Sequence, residues 1–177
     1  MDPPIGVVNH YDLAFPFFVV ECKVEGANKG SLKVGENQCA GASATCVSMI
    51  DRLNEELERY PEAQKVANTA FCAVVNQDEA RIFASWMEMK KDKRGKDTKA
   101  YYLLEISTLK LRFAADRLEL CRLVTNIMDW ARGPRLDKIK QALDFINEQE
   151  RKEKSAGAKE RGTSPDTRDS KRRRNDS

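Results

Sequence analysis

Hydrophobic and polar positions change period several times along this chain. The run Phe15-Pro-Phe-Phe-Val-Val-Glu-Cys-Lys23 is apolar at successive positions until it delivers Glu21 and Lys23, the pattern of an interior strand over 15–24 with Pro16 near its start, where a missing N–H is tolerated. Before it, residues 5–9 (Ile-Gly-Val-Val-Asn) read as a short strand and 9–14 as a connection; after it, Gly26, Asn28, Gly30 and Gly35 mark a loop. Cys39, Cys46, Met49, Ile50, Leu53 and Leu57 then recur at intervals of three, four and seven. That spacing predicts a helix over 37–58, closed before Pro61.

Two further strands follow, 69–76 and 80–89, joined across Gln77-Asp78-Glu79. The second alternates Ile82, Ala84 and Trp86 against Arg81, Phe83 and Ser85, as a pleated strand does. Residues 90–99 read as a charged loop and 100–109 as another strand. Phe113, Leu120, Val124 and Ile127 form a helical stripe stopped at Gly133-Pro134, and Leu136, Ile139, Leu143 and Ile146 a last helix over 136–151. The order predicts a mixed α/β (α+β) domain with a sheet of about five strands flanked by helices.

A chain of 177 residues, 41% hydrophobic and 33% charged, can bury one core, so the expected organisation is one domain over 1–150 and an appendage. The net charge of +3 conceals an asymmetry. Residues 151–177 carry ten Lys/Arg against five Asp/Glu, which leaves 21 against 23 for residues 1–150. The tail has too little apolar surface to offset its ordering entropy and is expected to be disordered. It ends in Lys171-Arg-Arg-Arg174, which reads equally as a nuclear import address, a phosphate-binding patch or a solvated tail. No apolar run reaches bilayer length and the start Met1-Asp2-Pro3-Pro4 lacks a signal peptide's pattern, so an intracellular protein without membrane contact is expected. The five cysteines fall inside predicted elements and His10 is the single histidine, which favours reduced core thiols over a zinc site or a Cys/His pair.

Glu21 and Lys23 would leave the strand on one face. A carboxylate that holds a cation and an ammonium that offsets developing charge are what metal-dependent phosphodiester hydrolysis requires. The spacing itself recurs at Glu88/Lys90, Asp97/Lys99 and Asp169/Lys171, so the weight rests on the apolar strand beneath the pair. A second carboxylate is needed. If 5–8 and 15–18 pair as a hairpin, positions summing to 23 oppose one another, and Asp2 then faces Glu21 about 5 Å away; Asp12, in the connection, is a poor partner.

Asp2, a hairpin, Glu21-Cys22-Lys23 and a helix bearing Gln38 resemble the PD-(D/E)XK, restriction-endonuclease-like nuclease core. The blocks Pro16 to Lys23, Asn37-Gln38-Cys39 and Asn126-Ile-Met-Asp-Trp130 followed by Arg135-Leu136 are similar to a fungal family of unknown function with that core, over about residues 2–150. The resemblance implies Asp2 and Glu21 as Mg²⁺ ligands, Lys23 as the residue that orients water and steadies the phosphate, and Gln38 as a holder of substrate or water. It implies nucleic acid as partner. It also implies a first helix that this chain lacks, as a truncated or degenerate relative would.

Plainer roles stand beside these. Lys23 serves equally as the partner in a structural ion pair, Gln38 as a helix-start residue, Trp86, Trp130 and Phe113 as core, and Arg132 and Arg135 as solvated or salt-bridged groups. Two functions follow: a Mg²⁺-dependent nuclease-like domain, or a catalytically inactive nuclear interaction or scaffold module on the same fold. Whether the chain is an enzyme is left open between them.

Overall fold

Parallel and antiparallel pairing meet in one four-stranded sheet in the computed structural model, which describes residues 14–24 and 32–161. The strands are β1 (Phe18–Cys22), β2 (Ala70–Val75), β3 (Glu79–Lys91) and β4 (Asp97–Lys110), in spatial order β1-β2-β3-β4. β1 and β2 run parallel and are joined through helix α1 (Leu32–Leu57), while β2, β3 and β4 form an antiparallel meander. Parallel neighbours require such a crossover, and the meander requires only tight turns. Helices α2 (Ala114–Trp130) and α3 (Leu136–Arg161) complete the mixed α/β domain.

The strand expected at 5–9, and with it the hairpin register, His10 and Asp12, lies outside the described residues. The sheet of about five strands therefore has four among the described residues. The strand read as interior, β1, sits at one margin of this sheet, and its Val20 is 51% exposed.

α1 starts five residues earlier than its periodicity predicts and takes in Gly35, one of the glycines that mark a loop in the sequence. Its buried stripe runs Gly35, Cys39, Ser43, Cys46, Val47, Ile50, Leu53 and Leu57. The first half is small and lies close on the sheet against Cys72, Val74 and Phe83; the second half is large and packs with Val66 and with Ile139, Ala142 and Ile146 of α3. On the opposite face, Ile127 of α2 covers Ala73 and Ile82. Buried Asn54 closes the segment after α1: its Nδ2 donates to the Val66 carbonyl and its Oδ1 accepts the Val66 N–H, both at 2.8 Å.

The charged loop of 90–99 shortens to a tight turn, because β3 and β4 continue pairing out to Lys91 and Asp97. Backbone pairing persists where both faces are wet, so the apolar alternation that marks a strand in sequence fades first. Asp92 Oδ1 accepts the N–H groups of Arg94 and Lys96, and Gly95 supplies the positive φ of 76° that such a turn demands.

Gly133-Pro134 bends the chain instead of freeing it. A wide helical turn over Ala131–Arg135, with Gly133 at φ −99°, ψ −105°, joins α2 to α3. α3 then runs past the expected end at Arg151 to Arg161, so residues 152–161 of the expected disordered tail are helical. Ion pairs Glu148–Lys152 (2.8 Å) and Glu150–Lys154 (3.3 Å) support this exposed stretch in the favourable acid-first order. Residues 162–177, including Lys171–Arg174, lie outside the described residues.

Candidate functional site

β1 ends where α1 begins to cover the sheet, and three of the four predicted site residues meet there. Glu21 of β1 and Lys23, one residue past its end, project on the α1-facing side; Gln38 comes down from the second turn of α1. Lys23 Nζ donates to Glu21 Oε1 at 2.6 Å and to Gln38 Oε1. The side chains of Lys23 and Glu21 keep only 15% and 31% of their exposure. Asp2, the fourth, lies outside the described residues.

Gly35 makes this convergence possible. A Cβ there would stand 2.5 Å from Val74 Cγ1, 3.2 Å from Lys23 Cε and 3.4 Å from Lys23 Cγ, so the stem of Lys23 crosses the helix backbone at a position that has no side chain. The site lies beyond the carboxyl ends of two parallel strands, the customary place for ligands in sheets with crossover helices.

A second ionic group adjoins it. Sheet register puts Glu21, Val74 and Arg81 in one row, so Glu21 and Arg81 lie about 10 Å apart on the same face. Arg81 Nη1 donates to Glu36 Oε1 of α1 and Arg81 Nε to Glu79 Oε1, both at 2.5 Å, and Lys110 Nζ reaches Glu79 Oε2. Glu79 is itself buried, with 7% of its side chain exposed. Each acid thus has a cation and each cation an acid: Glu21 with Lys23, Glu36 and Glu79 with Arg81, Glu79 with Lys110. Glu36, Glu79, Arg81 and Lys110 were not singled out from sequence. One signal was available: Arg81 shares a face with Phe83 and Ser85, and an arginine on a covered face needs a carboxylate partner.

Metal chemistry is only half supplied here. A hard divalent cation takes about six oxygen donors, carboxylates foremost. Among the described residues no group of three or more His, Cys, Asp and Glu side chains converges. Glu21 offers one carboxylate, whose Oε2 has no partner among the described residues, and the second predicted ligand is Asp2.

Cys39 and Cys72 form the floor of the site, and both are fully buried. Cys39 Sγ donates to the Ala73 carbonyl at 3.5 Å; the adjacent Cys39 thiol, with burial, pushes Cys72 up, and burial pushes Cys46 up. All five cysteines are free thiols, but Cys22 and Cys121 are exposed, a correction to the expectation that all are core groups. Alkylation needs an accessible thiolate. Brief treatment of the native protein with iodoacetamide is therefore expected to label Cys22 and Cys121, and peptide mass spectrometry to find Cys39, Cys46 and Cys72 modified only after urea. Equal labelling of Cys39 and Cys22 would mean that α1 does not seal the floor.

The aromatic and arginine assignments divide. Trp130 meets Phe17 and Phe71 edge-on at 6.4 and 5.3 Å and belongs to the interior, whereas Phe113 is 50% exposed. Arg132 pairs with Asp129 on the surface. Arg135, read as solvated or salt-bridged, is buried at 6% exposure without a carboxylate partner among the described residues. Its Nη2 donates to the Phe15 carbonyl at 2.9 Å, and its guanidinium stands over Phe17 and Trp130 at 5.4 and 5.7 Å. Burial draws its pKa down.

Among the described residues no helix is long and apolar enough to cross a membrane. A family profile described as a domain of unknown function, DUF7924, matches residues 5–143. No curated protein and no solved structure matches the chain.

Proposed function

The chain belongs to the DUF7924 family of domains of unknown function, and from that premise we propose a PD-(D/E)XK nuclease-like domain over about residues 1–150 that hydrolyses phosphodiesters with Mg²⁺. One observation carries the reading: Glu21 and Lys23 from β1 and Gln38 from α1 converge on a single ammonium at the carboxyl end of the parallel strands. Lys23, fixed by two acceptors, places positive charge where a phosphorane would form, and transition-state charge is best met by groups already in position. Gln38 sets the direction of that ammonium. Glu21, with Asp2, would hold the ion, which when bound polarises a phosphoryl oxygen and acidifies a water.

The second reading, a catalytically inactive interaction or scaffold module, is favoured by the matched charges around Glu21, Glu36 and Glu79. Ion networks of this kind also occur for purely structural reasons. Calorimetric titration of Mg²⁺ separates the two. Binding in the millimolar range is expected in the wild type and its loss in Glu21→Ala, while Lys23→Ala keeps the binding and lowers oligonucleotide cleavage about 10²- to 10³-fold. Absence of heat in the wild type at millimolar Mg²⁺ would leave the scaffold reading.

A further inference from the structure

Residues 90–99 carry six Lys/Arg against two Asp, which leaves fifteen against twenty-one in the rest of residues 1–150. The fold concentrates that excess in space. β2 pairs with β3 only as far as Ser85, and beyond it β3 and β4 continue as a two-stranded ribbon to the turn at 92–96. About half of the other described cations of residues 1–150, Lys23, Arg59, Lys65, Arg81, Lys110, Arg122 and Arg132, are paired with acids. Among the described residues, Lys99 is the ribbon cation held by carboxylates, Asp51 and Glu55 of α1, at 2.6 Å each. Lys91, Lys93, Arg94 and Lys96 have no carboxylate partner among the described residues, because Asp92 spends its carboxylate on the amides of the turn.

One face of the ribbon's base carries aromatic rings. Trp86 and Tyr102 stack with centroids 5.3 Å apart and planes 15° from parallel, and Lys90 Nζ lies 4.8 Å from the centre of the Tyr102 ring. Glu88 fixes the indole by accepting from Trp86 Nε1 at 3.0 Å. Both rings keep partial exposure. We propose that the β3–β4 ribbon is a nucleic-acid-binding arm, its tip cations seated on phosphates and its aromatic base against bases or sugars.

The chemistry selects this polymer over the other polyanions. A membrane surface would meet the tip, and residues 90–97 hold no apolar side chain to enter it. An acidic polypeptide offers charge but no planar groups for the rings. Nucleic acid repeats both, and a two-stranded ribbon fits a major groove. The inference goes beyond the proposed hydrolysis. Twelve β3 positions separate Glu79, beside the Lys23 cluster, from Lys91, up to about 40 Å along the strand, so the arm would hold a long substrate away from the chemistry and would bind it equally well in an inactive module.

The test is fluorescence anisotropy of the full chain with short labelled single-stranded and duplex DNA in EDTA, so that binding is read without Mg²⁺ or cleavage. Wild type and Arg122→Ala, which removes a surface cation of α2 paired with Glu119, are expected to bind alike. The triple variant Lys93→Ala/Arg94→Ala/Lys96→Ala, which leaves Asp92 and Gly95 to form the turn, is expected to bind at least about tenfold more weakly at low salt and to lower the slope of log affinity against log salt by about 2–3. Trp86→Ala is expected to weaken single-strand binding roughly tenfold. A variant with alanines at Lys171–Arg174 separates the tail. No binding by wild type, loss confined to the tail variant, or equal affinity for polyglutamate or anionic vesicles would each overturn the proposal.

Discussion

Replacing Arg135 by alanine is expected to lower folding stability by about 3–5 kcal/mol, a large share of the roughly 5–15 kcal/mol that holds a domain together. The guanidinium is buried, and through Nη2 it satisfies the carbonyl of Phe15 at 2.9 Å and approaches that of Pro16 at 3.5 Å. Phe15 itself adopts a φ of 48°, a conformation that a bulky side chain holds only when its surroundings enforce it. Alanine would leave buried carbonyl oxygens without a donor and a void between Phe17 and Trp130. It would also free the entry to β1.

Methionine at the same position is expected to cost less than alanine. It refills the volume and spares the desolvation of a guanidinium whose Nε has no hydrogen-bond partner among the described residues, a penalty that makes buried ions poor stabilisers. Urea unfolding of the two variants measures both effects. A loss below about 1 kcal/mol in Arg135→Ala would show that the clamp does not hold the start of β1.

Gly35→Val is expected to cost about 2–3 kcal/mol and to displace Lys23 from its acceptors. Val74 Cγ1, 2.5 Å from where a Cβ would stand, belongs to a fully buried, β-branched side chain on a central strand and has nowhere to go. Either α1 lifts from the sheet or the lysine stem is expelled. Gly41, in the same helix, has nothing within 4 Å of an added Cβ. Gly41→Ala is accordingly expected to stabilise by about 0.5–1 kcal/mol through helix propensity alone. The contrast between the two glycines measures the close approach of helix and sheet by a single urea series. Similar effects at both would remove the argument for Gly35 as the site's structural opening.

Much of the fold was legible because periodicity reports burial. Strands β1 to β4 and helices α1 to α3 all lie on segments whose apolar spacing predicted them. Boundaries failed where burial and backbone pairing part company: at Lys90 and Lys99, which pair across an exposed ribbon, and at Gly35, where a glycine marks a close approach inside a helix. α3 outran its apolar stripe because Glu148–Lys152 and Glu150–Lys154 extend it on charge. Of the candidate site, Glu21, Lys23 and Gln38 were named from sequence and come together; Glu36, Glu79, Arg81 and Lys110 were not, since their pairing spans two strands and a helix.

The sequence by itself determined that an apolar strand would present Glu21 and Lys23 on one face, because alternation along a strand is local geometry. It determined too that Cys39, Cys46, Met49, Ile50, Leu53 and Leu57 would share a helix, because their intervals are helical. Only the tertiary structure decided that Lys23 would be held between Glu21 and Gln38, that Arg135 would be interior, and that the cations of 90–99 would stand together on a ribbon. Those outcomes depend on which residues lie across from one another. Register between segments is set by packing of the whole chain, and no single stretch contains it.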